Sequence, residues 1–427
     1  MHPSPMNFEI ARRGEAVFDS PVSLRFVSDD RRVLYDADPQ TVEAALAAGQ
    51  RPACFELAGP RQKVFFDPAK LSCGIVTCGG LCPGLNDVIR SIVFTLSYHY
   101  GVSTVWGFRF GYEGLVARYG HEPLPLTPTV VDAIHEDGGT ILGSSRGPQD
   151  VGEMTDTLQR MGIGLLFAVG GDGTLRGALA IAEEIRRRGL PIGVIGIPKT
   201  IDNDISFVHQ SFGFHTAVSQ TRTPIIGAHW ESKGVRNGVG LVKLMGRHSG
   251  FIAAYATLAN SDVNFCLIPE VPFTLPGFLE ALRRRLERRA HAVVVVAEGA
   301  GQDLLQAEQG RDASGNLRLA DIGLFLKDQI AQHFQTAGFE ANLKYIDPSY
   351  MIRSMRTDAH DAAFCLLLGR HAVHAGMSGR TDMLVGDWRG EFIHVPIAAA
   401  VSRRKTIHPD GRLWDSVLAA TGQPARM

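Results

Sequence analysis

An uninterrupted apolar run, Leu165-Leu166-Phe167-Ala168-Val169, breaks into Gly170-Gly171-Asp172-Gly173-Thr174 and continues as a helix-like stretch over 175–188. A strand that is apolar along its whole length must be covered on both faces, which is the condition of a parallel sheet flanked by helices. The same alternation recurs from Leu71 onward. Strands are predicted at 73–77, 104–107, 165–169, 192–197, 239–244, 264–268 and 292–297, and helices at 86–100, 175–188, 248–260, 276–289 and 322–337. This pattern gives an α/β class, with ligands expected beyond the carboxyl ends of the strands. The 427 residues exceed one ordinary core, so two or three domains are expected. Residues 1–70 read differently, with short strand-like pieces at 22–27 and 32–34, mixed turns and acids, and no long helical period.

Charge and composition exclude several classes of function. The net charge is −1, so no overall field favours nucleic acid or an anionic membrane, and an anionic ligand must be held by local cations and amides. The basic run Arg283-Arg284-Arg285 with Arg288-Arg289 falls on a predicted helix and reads as a solvated face. No apolar run approaches the roughly 18–20 residues of a membrane span, and the N-terminus has no apolar core of signal-peptide type. Cys54, Cys73, Cys78, Cys82, Cys266 and Cys365 form neither a disulfide framework nor a zinc-binding spacing. Reduced thiols lead to the expectation of a cytoplasmic protein.

The motifs at the strand ends point to phosphate chemistry. In Gly170–Thr174 the glycines let backbone amides approach phosphate oxygens, and the following helix start adds partial positive charge. Asp172 inside that turn can hold a magnesium ion against the same phosphates. Cys78-Gly79-Gly80-Leu81-Cys82-Pro83-Gly84-Leu85-Asn86 links a strand to a helix, either as a bed for a nucleotide or simply as a tight turn. Gly143-Ser144-Ser145-Arg146-Gly147 sets a guanidinium among small residues, where it can bridge phosphates and offset moving charge. Pro198-Lys199-Thr200-Ile201-Asp202-Asn203-Asp204 carries alternating acids, one of which can accept a proton from an attacking hydroxyl. An Asx-turn with helix-capping acids is the plainer reading of those residues. Met245-Gly246-Arg247-His248-Ser249-Gly250 offers a phosphate-binding arginine beside a glycine. Glu298 ends the most apolar strand, where a carboxylate is costly without partners such as sugar hydroxyls. Lys344, Tyr350, Arg353 and Arg356 form a late cationic group suited to a second phosphate.

Together these blocks resemble the 6-phosphofructokinase family across about residues 71–424, in the family's order and including His394-Val395-Pro396-Ile397 and Thr421-Gly422-Gln423-Pro424. The resemblance implies two Rossmann-like parallel-sheet domains with an active-site cleft between them, plus an N-terminal extension over 1–70. It places a nucleotide-binding domain at 71–212, with part of 352–400 returning to it, and a sugar-phosphate domain at 213–351 with part of 401–427. It implies magnesium-assisted transfer of the γ-phosphoryl group of ATP to the 1-hydroxyl of fructose 6-phosphate. Asp202 resembles the general base, supported by Thr200, Asp204 and Arg146, and Asp172 the magnesium ligand. Gly80, Arg146, Gly147, Gly171, Asp172, Gly173, Thr174 and Lys199 match donor contacts. Thr200, Ile201, Asp202, Met245, Gly246, Arg247, Glu298, Lys344, Tyr350 and Arg353 match the sugar-phosphate side. Small-molecule substrates and a homodimer or homotetramer are expected, with neither nucleic acid nor membrane as a partner.

Two positions bear on the donor. Pyrophosphate-dependent members have lysine at the position of Lys199 but an acid at that of Gly173, and glycine there leaves room for a nucleotide. The pairing resembles the ATP-using branch of plants and trypanosomes, with a pyrophosphate-dependent fructose-6-phosphate 1-phosphotransferase as the alternative. The helix after the first glycine turn has Arg90 but Phe94 where the bacterial pattern has a second effector-binding arginine. Gly238 stands where that pattern has an arginine reaching into a neighbouring subunit.

Overall fold

The computed structural model describes residues 7–305, 310 and 318–427. Its principal strands, in chain order, are β1 (Arg32–Leu34), β2 (Cys54–Leu57), β3 (Ser72–Thr77), β4 (Thr104–Phe108), β5 (Leu124–Pro125), β6 (Ile163–Gly170), β7 (Gly193–Pro198), β8 (Gly238–Leu244), β9 (Phe265–Leu267), β10 (His291–Ala297), β11 (Asn342–Ile346), β12 (Met383–Trp388) and β13 (Glu391–Pro396). All seven strands predicted from apolar runs are present, with ends moved by one or two residues.

The chain divides into two compact units. One comprises Met1–Thr200, Ile205–Gly213 and Met355–Arg404; the other comprises Ile201–Asp204, Phe214–Ser354 and Lys405–Met427. The first is built on a nine-stranded sheet in the order β1-β2-β13-β12-β7-β6-β3-β4-β5. Its centre, β12-β7-β6-β3-β4, is parallel, and antiparallel strands complete both edges. Leu165 to Val169 are wholly buried, as the continuous apolar run requires. The second unit holds a four-stranded sheet in the order β9-β10-β8-β11, parallel throughout, with Val293–Val296 inaccessible at its centre.

The N-terminal segment is part of the first unit's sheet. β1 pairs with β2, and β2 pairs with β13, so residues 32–57 extend the sheet rather than hang from it. Phe8, Tyr35, Phe55, Phe207 and Trp388 form one aromatic group, with Tyr35 stacked on Trp388 at 5.5 Å. Residues 22–27 form no strand, and a nine-residue helix, Pro39–Ala47, occupies a stretch where no helical period was expected.

The α-helices Val151–Arg160, Phe214–Gln220, Arg222–Lys233 and Arg412–Thr421 were not expected, and other differences lie at helix ends. The helix expected from 175 begins at Asp172, because Gly171 adopts extended backbone and releases the chain directly into the first turn. The helix expected over 86–100 is α-helical only over Leu85–Phe94 and continues as a π-helical segment over Thr95–Tyr100. The nineteen-residue helix Ala359–Met377 has no counterpart among the predicted helices. It buries residues on several sides, including Phe364, Leu368 and Val373, and so lacks the one-sided apolar stripe that marks a surface helix.

Candidate active site

In the first unit, three segments meet at the carboxyl ends of β3, β6 and β7. Lys199 leaves β7 with its backbone N–H on the Gly170 carbonyl (3.0 Å), and its buried side chain donates from Nζ to the Gly80 carbonyl at 2.8 Å. The Gly79 N–H donates to the Ser145 carbonyl at 3.0 Å, while the Ser144 hydroxyl donates back to the Gly79 carbonyl at 2.6 Å. A side-chain carbon at Gly80 would lie 3.3 Å from the Arg146 guanidinium. Gly79-Gly80, the 143–147 turn and Lys199 therefore form one cationic, glycine-lined surface. Gly147 lies in that same turn, and a side-chain carbon at Gly171 would lie 3.3 Å from the Lys199 carbonyl oxygen.

The first turn of helix Asp172–Arg187 completes this surface. Its leading N–H groups have no intrahelical acceptor and carry the positive end of the helix dipole. A side chain at Gly173 would meet nothing within 4 Å, so that position opens into free space. Thr174 is buried, its carbonyl fixed by the Tyr112 hydroxyl at 2.6 Å. Asp172 pairs with Arg176 one turn on (3.1 Å) and with Arg404 (3.5 Å). No group of three or more metal-ligating side chains occurs among the described residues. Asp172 is the one carboxylate of this turn, already paired with two arginines. This suits magnesium, which keeps waters and phosphate oxygens and needs only one or two protein carboxylates.

In the second unit the 201–204 segment lies on the Met245–Gly250 loop that follows β8. The Arg247 N–H donates to Asp202 Oδ2 at 3.3 Å, and the Ser249 hydroxyl donates to the Asp202 carbonyl at 3.2 Å. Asn203 takes a left-handed conformation (φ 55°), which asparagine tolerates better than most residues, and the chain turns between the two acids. Asp202 Oδ1 is inaccessible to solvent and has no hydrogen-bond partner among the described residues, although the residue as a whole keeps some exposure. Burial of that oxygen, then the charges of Asp204 and Glu298, push the Asp202 carboxyl up to about 7 against the Arg247 N–H and Arg353. An unpaired buried carboxylate oxygen costs about 1–3 kcal/mol and is kept where a ligand or a proton uses it.

Glu298 and Arg353 stand 3.8 Å apart, both partly exposed. Gly246 has φ 125°, and its N–H-accepting carbonyl receives the Gly299 N–H at 3.0 Å, tying the two strand ends together. Met245 and Ile201 are buried and shape the loop from beneath. Lys344 is exposed on edge strand β11, and Tyr350 is 84% exposed on the short helix Ser349–Arg353. Arg356 belongs to the first unit, where it pairs with Glu136 at 2.5 Å, so the late cationic group is divided between units. Thr200 ends the first unit's segment and accepts the Ser211 hydroxyl at its carbonyl (2.5 Å). Arg90 lies over the Phe94 ring at 4.2 Å, and Lys243 is held by Asp321 (2.7 Å) and Asp347 (2.9 Å).

The family model for phosphofructokinase matches residues 72–376. The chain belongs to the phosphofructokinase family. An ATP-dependent 6-phosphofructokinase of Borreliella burgdorferi is 52% identical over 382 residues, covering 87% of this chain and 86% of that protein. Relatives of the same name occur in Amycolatopsis methanolica (50% identical, 96% and 94% covered) and Trypanosoma cruzi (48% identical, 91% and 81% covered). Among solved structures, a pyrophosphate-dependent phosphofructokinase of Marinobacter aquaeolei superposes with a TM-score of 0.67 at 20% identity, covering 83% of this chain and 92% of that one. At that identity the likeness speaks for the phosphofructokinase fold alone. The motifs did not single out Ser249 or Glu270. Glu270 lies in the turn three residues beyond β9, whereas Glu298 directly follows β10, so the strand-end rule that flagged Glu298 does not reach it.

Proposed function

We propose that this phosphofructokinase transfers the γ-phosphoryl group of ATP to the 1-hydroxyl of fructose 6-phosphate, giving fructose 1,6-bisphosphate. The reading is carried by Asp202 Oδ1: an inaccessible carboxylate oxygen without a partner among the described residues, pushed up to about 7, in a segment held by the Arg247 N–H and within reach of the charges of Glu298 and Arg353. A base with its pKa near the working pH is effective in taking a hydroxyl proton. Asp202 accepts the proton of the 1-hydroxyl as the oxygen attacks, and Asp204 keeps the carboxyl basic enough to hold it. Arg247 and Arg353 bind the sugar phosphate, and Glu298 takes hydroxyl hydrogen bonds.

On the donor side, the amides at the start of helix Asp172–Arg187 and the cations Arg146 and Lys199 hold phosphate oxygens. Phosphoryl transfer needs positioning and charge stabilisation more than covalent chemistry from the protein. Magnesium held at Asp172 would neutralise charge on the donor phosphates. Arg176 and Arg404 already balance that carboxylate, so it enters the site oriented. The open space at Gly173 favours a nucleotide donor, since a carboxylate there would occupy it and repel the inner phosphate.

Initial rates with ATP and with pyrophosphate at matched concentrations, each with magnesium and fructose 6-phosphate, test this. ATP is expected to support turnover at least tenfold faster. Comparable or faster turnover with pyrophosphate would overturn the donor assignment, and no turnover with either by folded protein would overturn the function.

A further inference from the structure

Glu270 lies just beyond β9, half-buried, in a turn that no part of the transfer chemistry uses. Both of its carboxylate oxygens stand 3.0 Å from the Gly250 N–H, and Oε1 also accepts the Ile407 N–H at 2.8 Å. Residues 250 and 407 are 157 apart in sequence, so one side chain ties together two distant stretches of backbone. Each of those stretches in turn holds the 202–204 segment. From the first, the Arg247 N–H and Ser249 hydroxyl reach Asp202 at 3.3 and 3.2 Å. From the second, the Lys405 N–H donates to the Asp204 carbonyl at 2.9 Å. All of these residues belong to one compact unit.

We infer that Glu270 is a positioning residue for phosphoryl transfer, a clamp that fixes the two backbone segments from which the acid-bearing loop is held. The inference rests on the catalytic reading of Asp202 given above. Gly250 caps helix Phe251–Ala259, and a carboxylate there also favours the helix start. That local role alone would not need the second bond to Ile407. Freed of Glu270, the 246–250 and 405–407 segments keep their covalent ends but lose their common anchor. Asp202 then samples positions off the hydroxyl, and small displacements of a catalytic group cost rate steeply.

The test compares wild type, Glu270→Ala and Glu270→Gln by steady-state kinetics and by peptide-level hydrogen exchange. Glu270→Ala is expected to lower kcat at least tenfold, with KM for ATP within twofold. Exchange should rise in peptides covering 201–206, 245–250 and 405–408 and stay unchanged in those covering 165–175 and 291–297. Glu270→Gln, which keeps one acceptor oxygen, should retain more turnover than the alanine variant. Unchanged kcat and unchanged exchange in Glu270→Ala would overturn the inference, as would a rise in exchange spread over the whole second unit. If wild type fails to turn over ATP with fructose 6-phosphate, the catalytic reading falls, and the exchange pattern still decides whether Glu270 is the clamp.

Discussion

At the scale of single residues, Asp202 joins fold and function by being a poor residue for stability. Burial, with the charges of Asp204 and Glu298, pushes its carboxyl up to about 7 in the native state, against roughly 3.9 in an unfolded chain. The folded state therefore binds the proton more tightly, and rising pH between those values removes stability. Above about pH 7 the penalty is complete; below about pH 4 it is absent. Asp202→Asn lacks it, so that variant should unfold at higher temperature than wild type at pH 8, by the equivalent of about 1–3 kcal/mol, with the difference vanishing near pH 4. Thermal unfolding at the two pH values checks this, and equal melting temperatures at pH 8 would count against a strained carboxylate. The same titration should appear in activity. On the proposed role of Asp202 as base, that carboxyl must be ionised, so kcat/KM for fructose 6-phosphate should rise through an acid limb near pH 7. Glu298→Gln removes a neighbouring negative charge and should move that limb to lower pH; a limb that stays in place would separate Glu298 from the Asp202 environment.

At the scale of elements, the candidate site is made by strand ends, and the strand ends were the most readable part of the sequence. Apolar runs such as Leu165–Val169 and Val293–Val296 are buried strands, with Gly170 following the first and Ala297 and Glu298 the second. Edge strands were less legible. β11 is half-exposed, with an alternating and partly polar sequence, and its pairing with β8 is a long-range choice. β12 and β13 join the sheet from far along the chain, where nothing local signals which partner they meet. The candidate site residues were chosen from motif chemistry. The contacts that hold them, such as Ser249 to Asp202 and Glu270 to Gly250, join segments distant in sequence and have no local pattern. Gly246 is where loop geometry is least forgiving. Its φ of 125° disfavours any side chain, and a methyl group would approach the Ser249 carbonyl oxygen to 2.6 Å. Gly246→Ala should cost about 1–3 kcal/mol of stability and raise KM for fructose 6-phosphate well before KM for ATP. Parallel rises in both constants would remove the special role of that loop.

At the scale of the whole molecule, residues 7–70 belong to the first unit by burial and by charge. Arg380 is 1% exposed and bonds Glu56, Asp29 (2.8 Å) and the Ser378 hydroxyl (2.7 Å), while Arg61 reaches Asp29 (2.8 Å) and Glu56 (3.2 Å). Burial alone would raise the Glu56 carboxyl, but the His394 hydrogen bond and the Arg380 charge more than offset it and hold it well below the ordinary range. Its stabilising effect is thus present above roughly pH 4–5 and lost as pH falls towards the depressed native value. Glu56→Ala leaves two buried guanidinium groups short of an acceptor and should cost about 3–5 kcal/mol at pH 7 in denaturant unfolding, and about 2 kcal/mol less at pH 3. An equal loss at both pH values would show that packing, not charge, attaches this segment. The central claim, that a single buried carboxylate drives sugar phosphorylation, is tested most directly by fructose 1,6-bisphosphate formation from ATP in wild type and Asp202→Asn at pH 7.5, with fructose 6-phosphate binding measured on both. The expected result is a rate lowered about 10²–10⁴-fold in the variant with sugar-phosphate affinity changed only a few-fold; a variant that forms product at near wild-type rate would contradict it.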